Sequence, residues 1–399
     1  PRGLVRIEIG KCKREAFVRL PVYLDYNATT PVAPEVADAI MPFLREQFGN
    51  PSSSHVYGQQ AMEALAQARR QVAVLLGATP EEIVFTGSAT EANNLALSGV
   101  ARALSGKKRH LVTSAIEHPA VEQPLRRLHA QGWALTVVPV DGAGRVDPDA
   151  IRRALRPDTA LVSIMHANNE IGTIQPLAEI SSLTRQAGVL LHTDAAQSAG
   201  KIGVAVNELG VDLLTLAGHK FYATKGVGAL YVRRGTPIEG VLAGAGQERG
   251  LRPGTECVPL VVGLGVAAQL AGERLSQAQA HLLRMRDRLH ALLQQNIPDL
   301  RLNGHPSERL PNTLHVSFPS VSGEELLRSA AADVAASVGS ACHAGSHAVS
   351  GVLAALGLEP AVAAGAVRLS VGLPTTEDEI EHAAAALAAA WVRHTRKGR

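Results

Sequence analysis

The sequence predicts an α/β protein whose large domain is built on a mainly parallel sheet. Short apolar runs alternate with helical stretches of ten or more residues, which is the pattern of strands joined by crossover helices. The runs are apolar almost throughout, as expected of strands that are covered on both faces. We predict seven strands, within residues 82–87, 109–114, 134–140, 160–167, 189–196, 212–220 and 227–234.

Helical patterns occupy three of the connections between these strands. One helix is predicted from Thr90 onward, a second over residues 119–132, and a third over residues 176–188. Gly132 marks the end of the second helix, where a glycine is favoured. This alternation of strands and helices is what predicts a parallel sheet with helices on its faces.

The pattern changes after about residue 258. Residues 262–296 form one long helical stretch with few breakers, and shorter strands follow at 312–318 and 366–372. An alanine-rich helix is predicted over residues 381–391. These elements indicate a second, smaller α+β domain.

We divide the chain into three parts, with a large domain over residues 21–260 and a small C-terminal domain over residues 261–399. Residues 1–20 are basic and lack the long apolar run of a secretory signal. We interpret them as a leader or arm that is disordered, and we assign no role to Cys12 within it.

Composition excludes several classes of function. In a chain of 399 residues, 46% hydrophobic and 19% charged residues are typical of a folded globular protein. A net charge of +3 and 3% aromatic residues give no reason to expect nucleic-acid or membrane binding. Cys12, Cys257 and Cys342 are too few and too scattered for a disulfide framework or a cysteine-rich metal site. We therefore predict a reducing, cytoplasmic compartment, no metal, and no membrane span.

Three polar groups follow predicted strands at the edge where ligands of parallel α/β sheets bind. Asp194 ends the run VLLHTD, and His219 with Lys220 ends DLLTLAGHK. The turn TGSAT leads into the helix at Thr90, and the backbone N–H groups of such a helix start favour a phosphate. Each feature alone is more often a cap or a solvated charge.

Together, these groups match the needs of pyridoxal 5'-phosphate. Lys220 can form a Schiff base with the cofactor, and Asp194 can keep the ring nitrogen protonated. Gln197 could hydrogen-bond the ring oxygen. His118 follows the strand at 109–114 and could stack on the ring, although a loop histidine with an ordinary hydrogen bond is an equal alternative.

Cys342 lies in the small-residue stretch SVGSACHAGSH, next to His343. A free cysteine is often buried and inert, so the stretch alone does not indicate a nucleophile. If Cys342 reacts, it does so as the thiolate. A neighbouring imidazole would raise its thiolate fraction.

The chain resembles the cysteine desulfurases of the NifS/IscS type, which are class V enzymes of the aminotransferase fold type I. The resemblance runs in order from Tyr23 to the C-terminal helix and is carried by YLDYNATTP, FGNPSSSH, TGSATEANN, IEHPAV, MHANNEIG, HTDAAQS, GHKFYATKGVGALYV, RPGTE, GSACHAG and VRLSVG. It implies a seven-stranded, mainly parallel sheet in the large domain. It also implies a pyridoxal-phosphate enzyme that converts L-cysteine to L-alanine and passes the sulfur to an acceptor protein whose identity is open.

The resemblance implies a role for each matching residue. Lys220 would be the Schiff-base lysine, His118 the stacking acid or base, and Cys342 the nucleophile that carries the persulfide. The other implied contacts are ring atoms with Asp194 and Gln197, the phosphate with Ala89, Thr90 and His219, the substrate carboxylate with Asn169 and Arg368, and the phosphate of a neighbouring subunit with Thr255. The contact from Thr255 implies a homodimer.

Ala217 departs from the family pattern, because many members place a phosphate-binding serine three residues before the lysine. This departure, together with the stretches GQERGLRPGTE and ACH, resembles the related selenocysteine lyases, which act on L-selenocysteine, and that activity is our alternative. Further alternatives are another class V aminotransferase or lyase and a non-catalytic scaffold. A nicotinamide site is disfavoured, since no G-x-G-x-x-G motif follows an early strand.

Overall fold

The computed structural model describes residues 4–9, 14–339 and 350–397. Its strands, numbered in chain order, are β1 Leu4–Ile9, β2 Arg14–Arg19, β3 Val22–Tyr23, β4 Ile83–Thr86, β5 His110–Ser114, β6 Ala134–Val138, β7 Thr159–Ser163, β8 Leu190–Asp194, β9 Leu213–Ala217, β10 Gly228–Val232, β11 Arg301–Leu302, β12 Thr313–Ser317, β13 Val334–Ala335 and β14 Ala366–Ser370. Its α-helices are α1 Pro34–Arg45, α2 Val56–Leu76, α3 Ala89–Leu104, α4 Pro119–Ala130, α5 Pro148–Ala154, α6 Leu177–Gln186, α7 Val206–Leu209, α8 Val258–Glu273, α9 Leu275–Asn296, α10 Gly323–Ala330, α11 Gly351–Ala355, α12 Pro360–Ala364 and α13 Glu377–Lys397.

The predicted sheet is confirmed. Seven strands pair in the order β4-β10-β9-β8-β7-β5-β6, with helices on the faces of the sheet. All pairs from β9 to β6 are parallel, whereas β10 is antiparallel to both β9 and β4. Strand β4 therefore points the same way as β9. The carboxyl ends of β4, β5, β7, β8 and β9 meet at one edge, and this edge carries the predicted site.

The long helical stretch predicted over residues 262–296 is two helices that meet at Arg274 with a bend of 77°. Helix α8 packs on α1 and α2 in the core of the large domain, whereas α9 packs on α13 in the small domain. The packing places the domain boundary at this bend and not after residue 260. No proline marks the break, so the sequence pattern runs through it.

Among the described helices, none is by itself long and apolar enough to cross a membrane. The bent pair of α8 and α9 meets the same test when its two members are taken together, by length and composition only.

The small domain holds the antiparallel sheet β11-β12-β14 and the parallel pair β13-β3. Strand β3 comes from the start of the chain, and Val22 and Leu24 pack in the core of the small domain. Residues 22–24 therefore belong to the small domain, which corrects the division at residue 21. A two-residue strand is too short to show a pattern of its own.

Strands β1 and β2 pair antiparallel, from Leu4 with Arg19 to Ile9 with Arg14. Our expectation of a disordered arm differs from this arrangement. The sequence LVRIEI alternates between apolar and charged residues from Val5 to Ile9, which is the period-two pattern of a strand, whereas REAFVR shows no such alternation. Residues 10–13, with Cys12, lie outside the described residues.

Candidate active site

A cavity of about 310 Å³ opens at the carboxyl edge of the large sheet, against the small domain. It brings together nine of the predicted site residues, which are Ala89, Thr90, His118, Asn169, Asp194, Gln197, His219, Lys220 and Arg368. Thr255 is exposed and does not line this cavity. Cys342 lies outside the described residues.

Lys220 follows β9 in a single 3₁₀ turn, Gly218–Lys220. Its Nζ donates hydrogen bonds to the carbonyl oxygens of Asn27 (2.6 Å) and Ala28 (2.9 Å). Two residues later Tyr222 has φ +70°, which is unfavourable for a side chain of this size. Thr30 Oγ1 holds this turn by accepting from the Tyr222 N–H (2.9 Å). The backbone after Lys220 is therefore fixed by tertiary contacts, and the amine is held in the cavity.

Asp194 is the last residue of β8, and it is buried. Its Oδ2 accepts a hydrogen bond from Asn93 Nδ2 (2.7 Å), and its Oδ1 accepts from the Ala196 N–H (2.9 Å). Asn93 is fully buried on α3, and no sequence signal beyond its place in TGSATEANN marked it. Since a carboxylate offers about four lone-pair positions, these two bonds orient Asp194 and leave capacity for a cationic ring N–H.

His118 caps the start of α4, and its Nδ1 accepts from the Ala120 N–H (3.1 Å). An accepting Nδ1 places the proton of the neutral ring on Nε2. The pKa of His118 is lowered overall. Burial is the main cause and the Lys220 charge adds to it, whereas the Asp194 charge opposes it. His118 is therefore a neutral imidazole near pH 7 that can donate from Nε2.

His219 lies beside Lys220 and pairs through Nδ1 with Thr29 Oγ1 (3.2 Å). Burial, and next the Lys220 charge, lower the pKa of His219 to about 4. Its ring is neutral at physiological pH. It can bind an anion through a hydrogen bond and brings no charge of its own.

The start of α3 faces the cavity with Ser88, Ala89 and Thr90. Ser88 caps the helix by accepting from the Glu91 N–H (3.1 Å). Strand β10 passes so close that a Cβ added to Gly228 would lie 2.7 Å from the Ser88 carbonyl carbon and 2.9 Å from the Ala89 nitrogen. Only glycine fits there. Glycine at this position lets β10 pass without displacing the N-terminus of α3, where a phosphate could bind.

Arg368 reaches the cavity from β14 of the small domain and is 3% exposed. Its Nη2 pairs with Asp25 Oδ1 (2.8 Å), and its Nη1 donates to the Asn169 carbonyl oxygen (3.0 Å). Its Nε has no hydrogen-bond partner among the described residues. A carboxylate ligand could satisfy that donor. Asp25 was not predicted, because nothing in YLDYNATTP shows that it reaches Arg368.

Glu117 lies buried beside His118 and was also missed by the sequence analysis. Its Oε1 accepts from Ser114 Oγ (2.6 Å) and from the Met165 N–H (3.0 Å). Burial, supported by the Asp194 charge, raises the pKa of Glu117 to about 8, although these hydrogen bonds oppose the rise. Glu117 is therefore largely protonated at pH 7 and ties the loop before α4 to the end of β7.

Replacing Glu117 with Gln should flatten the dependence of stability on pH. Because the pKa of Glu117 rises on folding from 4.5 to about 8, the folded state binds the extra proton between these values. Stability therefore falls as pH rises through this window, by a few kcal/mol at most. We expect Glu117→Gln to be relatively more stable than the unmodified protein at pH 8 than at pH 5, measured by urea unfolding of the full chain without cofactor. Glu122→Gln, which replaces a half-buried carboxylate on α4 whose side chain is 39% exposed, is the control and should leave the slope unchanged.

Both described ends that flank residues 340–349 lie at Glu170. Ser350 Oγ donates to Glu170 Oε2 (2.6 Å), and a Cβ added to Gly339 would lie 3.0 Å from the same oxygen. Glu170 follows Asn169, which lines the cavity. The two described residues that flank positions 340–349 therefore both lie next to the residue that follows Asn169.

Comparison with known proteins identifies the family. The sequence-family model for aminotransferase class-V matches residues 22–382 of this chain. The chain is 46% identical to cysteine desulfurase IscS of Dictyoglomus turgidum, over 90% of this chain and 92% of that protein. It is 45% identical to the cysteine desulfurase of Mus musculus, over 93% of this chain and 81% of that protein.

Solved structures show the same relationship. A NifS-like protein superimposes with a TM-score of 0.87 at 38% identity, covering 93% of this chain and 99% of its own. A structure described as SspA in complex with cysteine superimposes with a TM-score of 0.79 at 38% identity, covering 88% of this chain and 98% of its own. The predicted fold class is confirmed.

Proposed function

The chain belongs to the aminotransferase class-V family, and on that premise we propose that Lys220, His118 and Cys342 carry out the removal of sulfur from L-cysteine. The chain is a pyridoxal-phosphate-dependent cysteine desulfurase, as its relatives are. The products are L-alanine and a persulfide, which we assign to Cys342. The observation that carries these roles is the convergence of Lys220, Asp194 and the start of α3 on one cavity.

The residues of the cavity fit the cofactor. The Lys220 amine, the oriented Asp194 carboxylate and the helix start at Ala89 match an aldehyde, a ring nitrogen and a phosphate. His219 would add a neutral donor to the phosphate. Gln197 would contact the phenolic oxygen, and His118 would lie against the ring.

When bound, pyridoxal phosphate takes up the electron pair that is released as the Cα–H bond of the substrate breaks. Arg368 binds the substrate carboxylate with its guanidinium, aided by Asn169, and thereby fixes the direction of the Cα–H bond. The Lys220 amine accepts the Cα proton and returns it. The neutral His118 holds a proton at Nε2 for a developing negative charge.

Cys342 acts as a thiolate. Its sulfur attacks the substrate sulfur, so an S–S bond forms as the Cβ–S bond breaks, and the electron pair of that bond remains with the carbon that becomes the methyl group of alanine. A free thiol has a pKa near 8.5, and only a few per cent is ionised at pH 7. We propose that a nearby imidazole, from His343 or His118, raises this fraction.

The product assay tests the function. Release of L-alanine with sulfide from L-cysteine supports a desulfurase, whereas release with selenide from L-selenocysteine at a far higher rate would support the alternative lyase. The alanine at position 217 is the reason for testing the lyase activity, whereas the relatives named above favour the desulfurase. A selenium preference that survives Cys342→Ala would overturn the assignment.

We propose that the acceptor of the sulfur is a protein of iron–sulfur cluster or thio-cofactor synthesis. A cytoplasmic location stays a prediction.

Ala217→Ser should tighten cofactor binding. Ala217 is 2% exposed and lines the cavity at the end of β9, where a serine hydroxyl could donate to the phosphate. One hydrogen bond to a charged oxygen corresponds to about a tenfold gain in affinity. The affinity is measured as the cofactor concentration that half-saturates the cofactor-free protein. Ala217→Val adds volume without a donor and should weaken binding, and equal effects of both variants would contradict the phosphate contact.

Thr255→Ala should weaken cofactor binding about tenfold, although Thr255 does not line the cavity of its own subunit. We propose that Thr255 of one subunit contacts the phosphate bound by the other. Mixing Thr255→Ala subunits with Lys220→Ala subunits would then rebuild one complete site in each mixed dimer. A monomer by sedimentation, or a mixture with no recovered activity, would exclude this arrangement.

A further inference from the structure

Lys201 is a buried lysine that the proposed chemistry does not use. It lies four residues after Gln197, in the irregular segment that follows β8, and it is 5% exposed. Its Nζ donates a hydrogen bond to Gln197 Oε1 (3.0 Å). Within the described residues, no carboxylate lies within salt-bridge distance of this amine. Burying an amine without a carboxylate is costly, so a purely structural role would be served better by an apolar side chain.

The contact with Lys201 determines which way the Gln197 carboxamide points. A lysine ammonium has three donors and no acceptor, so the group facing it must be the amide oxygen. The amide nitrogen then lies on the other side, where Nε2 donates to the Asn27 carbonyl oxygen (3.0 Å). That carbonyl also accepts from Lys220 Nζ (2.6 Å) and can face only donors. Both neighbours therefore select the same orientation.

Gln197 lines the cavity, and this orientation decides what it offers there. With the oxygen turned to Lys201, the amide nitrogen and its second hydrogen remain for a ligand. A flipped carboxamide would present an oxygen, which repels an anionic oxygen of the ligand. The two orientations have the same shape, so packing alone does not choose between them.

We propose that Lys201 is a positioning residue that holds Gln197 with its NH₂ group toward the phenolic oxygen of pyridoxal phosphate. The proposal rests on the proposed role of Gln197 in cofactor binding. A donor to that oxygen draws negative charge from it. This lowers the basicity of the nitrogen that joins the cofactor to Lys220, and the pH at which the visible absorbance of the bound cofactor changes reports this basicity.

The charges around Lys201 agree with an anionic ligand. Burial, and next the charges of Lys220 and Arg368, lower the pKa of Lys201 to about 7. Binding a cofactor with a phosphate and a phenolic oxygen adds negative charge near these cations. The neutral amine retains two N–H donors and can still donate to Gln197 Oε1, while the Asn27 carbonyl oxygen continues to require the amide nitrogen on its side.

The test compares the cofactor-bound enzyme with its variants Lys201→Met and Gln197→Leu and with the double variant. We expect Lys201→Met to raise the midpoint of the pH titration of visible absorbance by about one unit, and to raise the half-saturating cofactor concentration about tenfold. Gln197→Leu should have effects of similar size. The double variant should be no worse than the worse single variant, because both remove the same contact.

Lys201→Gln separates the hydrogen bond from the charge. It keeps an N–H donor and removes the charge, so the midpoint should return at least halfway toward that of the unmodified enzyme. This variant also serves if Lys201→Met fails to fold, which urea unfolding of each variant decides. Lys107→Met, at an exposed lysine in the turn after α3, controls for loss of a positive charge.

Three results would overturn the proposal. They are additive effects in the double variant, equal shifts in Lys201→Gln and Lys201→Met, and an unchanged midpoint in Lys201→Met. Additivity or equal shifts would mean that Lys201 acts through its charge. Failure of the proposed function would look different, because the unmodified enzyme would then form no visible covalent complex that depends on Lys220.

Discussion

Lys220→Ala is expected to lower turnover of L-cysteine by about 10³-fold or more, because we propose that this one side chain both holds the cofactor and moves the Cα proton. In the structure its Nζ is held at the cavity by the carbonyl oxygens of Asn27 and Ala28, and a methyl group can make neither contact. The loss of turnover is measured as the rate at which L-alanine is released from L-cysteine. The visible absorbance of the covalent complex should vanish in the same variant.

Two controls separate this role from damage to the fold. Lys107→Ala, at an exposed lysine, should retain the rate within about twofold, as surface substitutions do. Adding a small primary amine to Lys220→Ala should recover part of the rate, since the amine can take the Cα proton in place of Nζ. Lys220→Ala with an intact absorbance, or with a near-normal rate, would contradict both the cofactor role and the proposed function.

The sequence could predict that the main residues of the site lie at one edge of the sheet because they are tied to backbone elements. Asp194 and Lys220 end or follow apolar runs, and the parallel order brings those ends to one edge. The same rule places the start of α3 there, since β10 is antiparallel to both of its neighbours and β4 keeps the common direction. Such residues are predictable once the strands are.

The residues that orient the site were not predictable in this way. Asn93 and Asp25 act on Asp194 and Arg368, and these contacts span 101 and 343 positions of the sequence. Lys201 lies four positions from Gln197, yet their contact depends on an irregular segment that leaves no periodic pattern. Only tertiary geometry joins these pairs.

The packing differs from the predicted domain division for a related reason. The break at Arg274 has no proline, and α8 and α9 bend there because they pack on different cores. Strand β3 joins the small domain through a pairing with β13 that involves two residues on each strand. Short or uninterrupted segments give no local signal of which core they enter.

Cys342→Ala should abolish sulfur transfer while leaving the earlier step intact, which makes it the sharpest test of the nucleophile. We expect release of alanine from L-cysteine to fall about 10³-fold, since water is a far poorer acceptor of sulfur than a thiolate. Binding of L-cysteine should still change the visible absorbance, because Arg368 and Lys220 remain. A variant that loses both signals would indicate damage to the site as a whole.

Cys257→Ala is the matched control. Cys257 is an exposed free cysteine at the start of α8 and should have no effect on the rate. Peptide mass analysis after brief exposure to L-cysteine should find one added sulfur atom on Cys342 and none on Cys257. Added sulfur on Cys257 alone, or a normal rate in Cys342→Ala, would remove Cys342 from the mechanism.

The ends of the segment that includes Cys342 give this expectation its structural basis. Gly339 and Ser350 both meet Glu170, and the next residue back along the chain is Asn169, which lines the cavity and accepts from Arg368 through its carbonyl oxygen. Both described ends next to residues 340–349 therefore lie at the edge of the cavity. Glu170→Gln, which keeps the size of the side chain and removes its charge, should therefore slow sulfur transfer more than substrate binding. Equal losses in both would mean that Glu170 supports the cavity and not the segment.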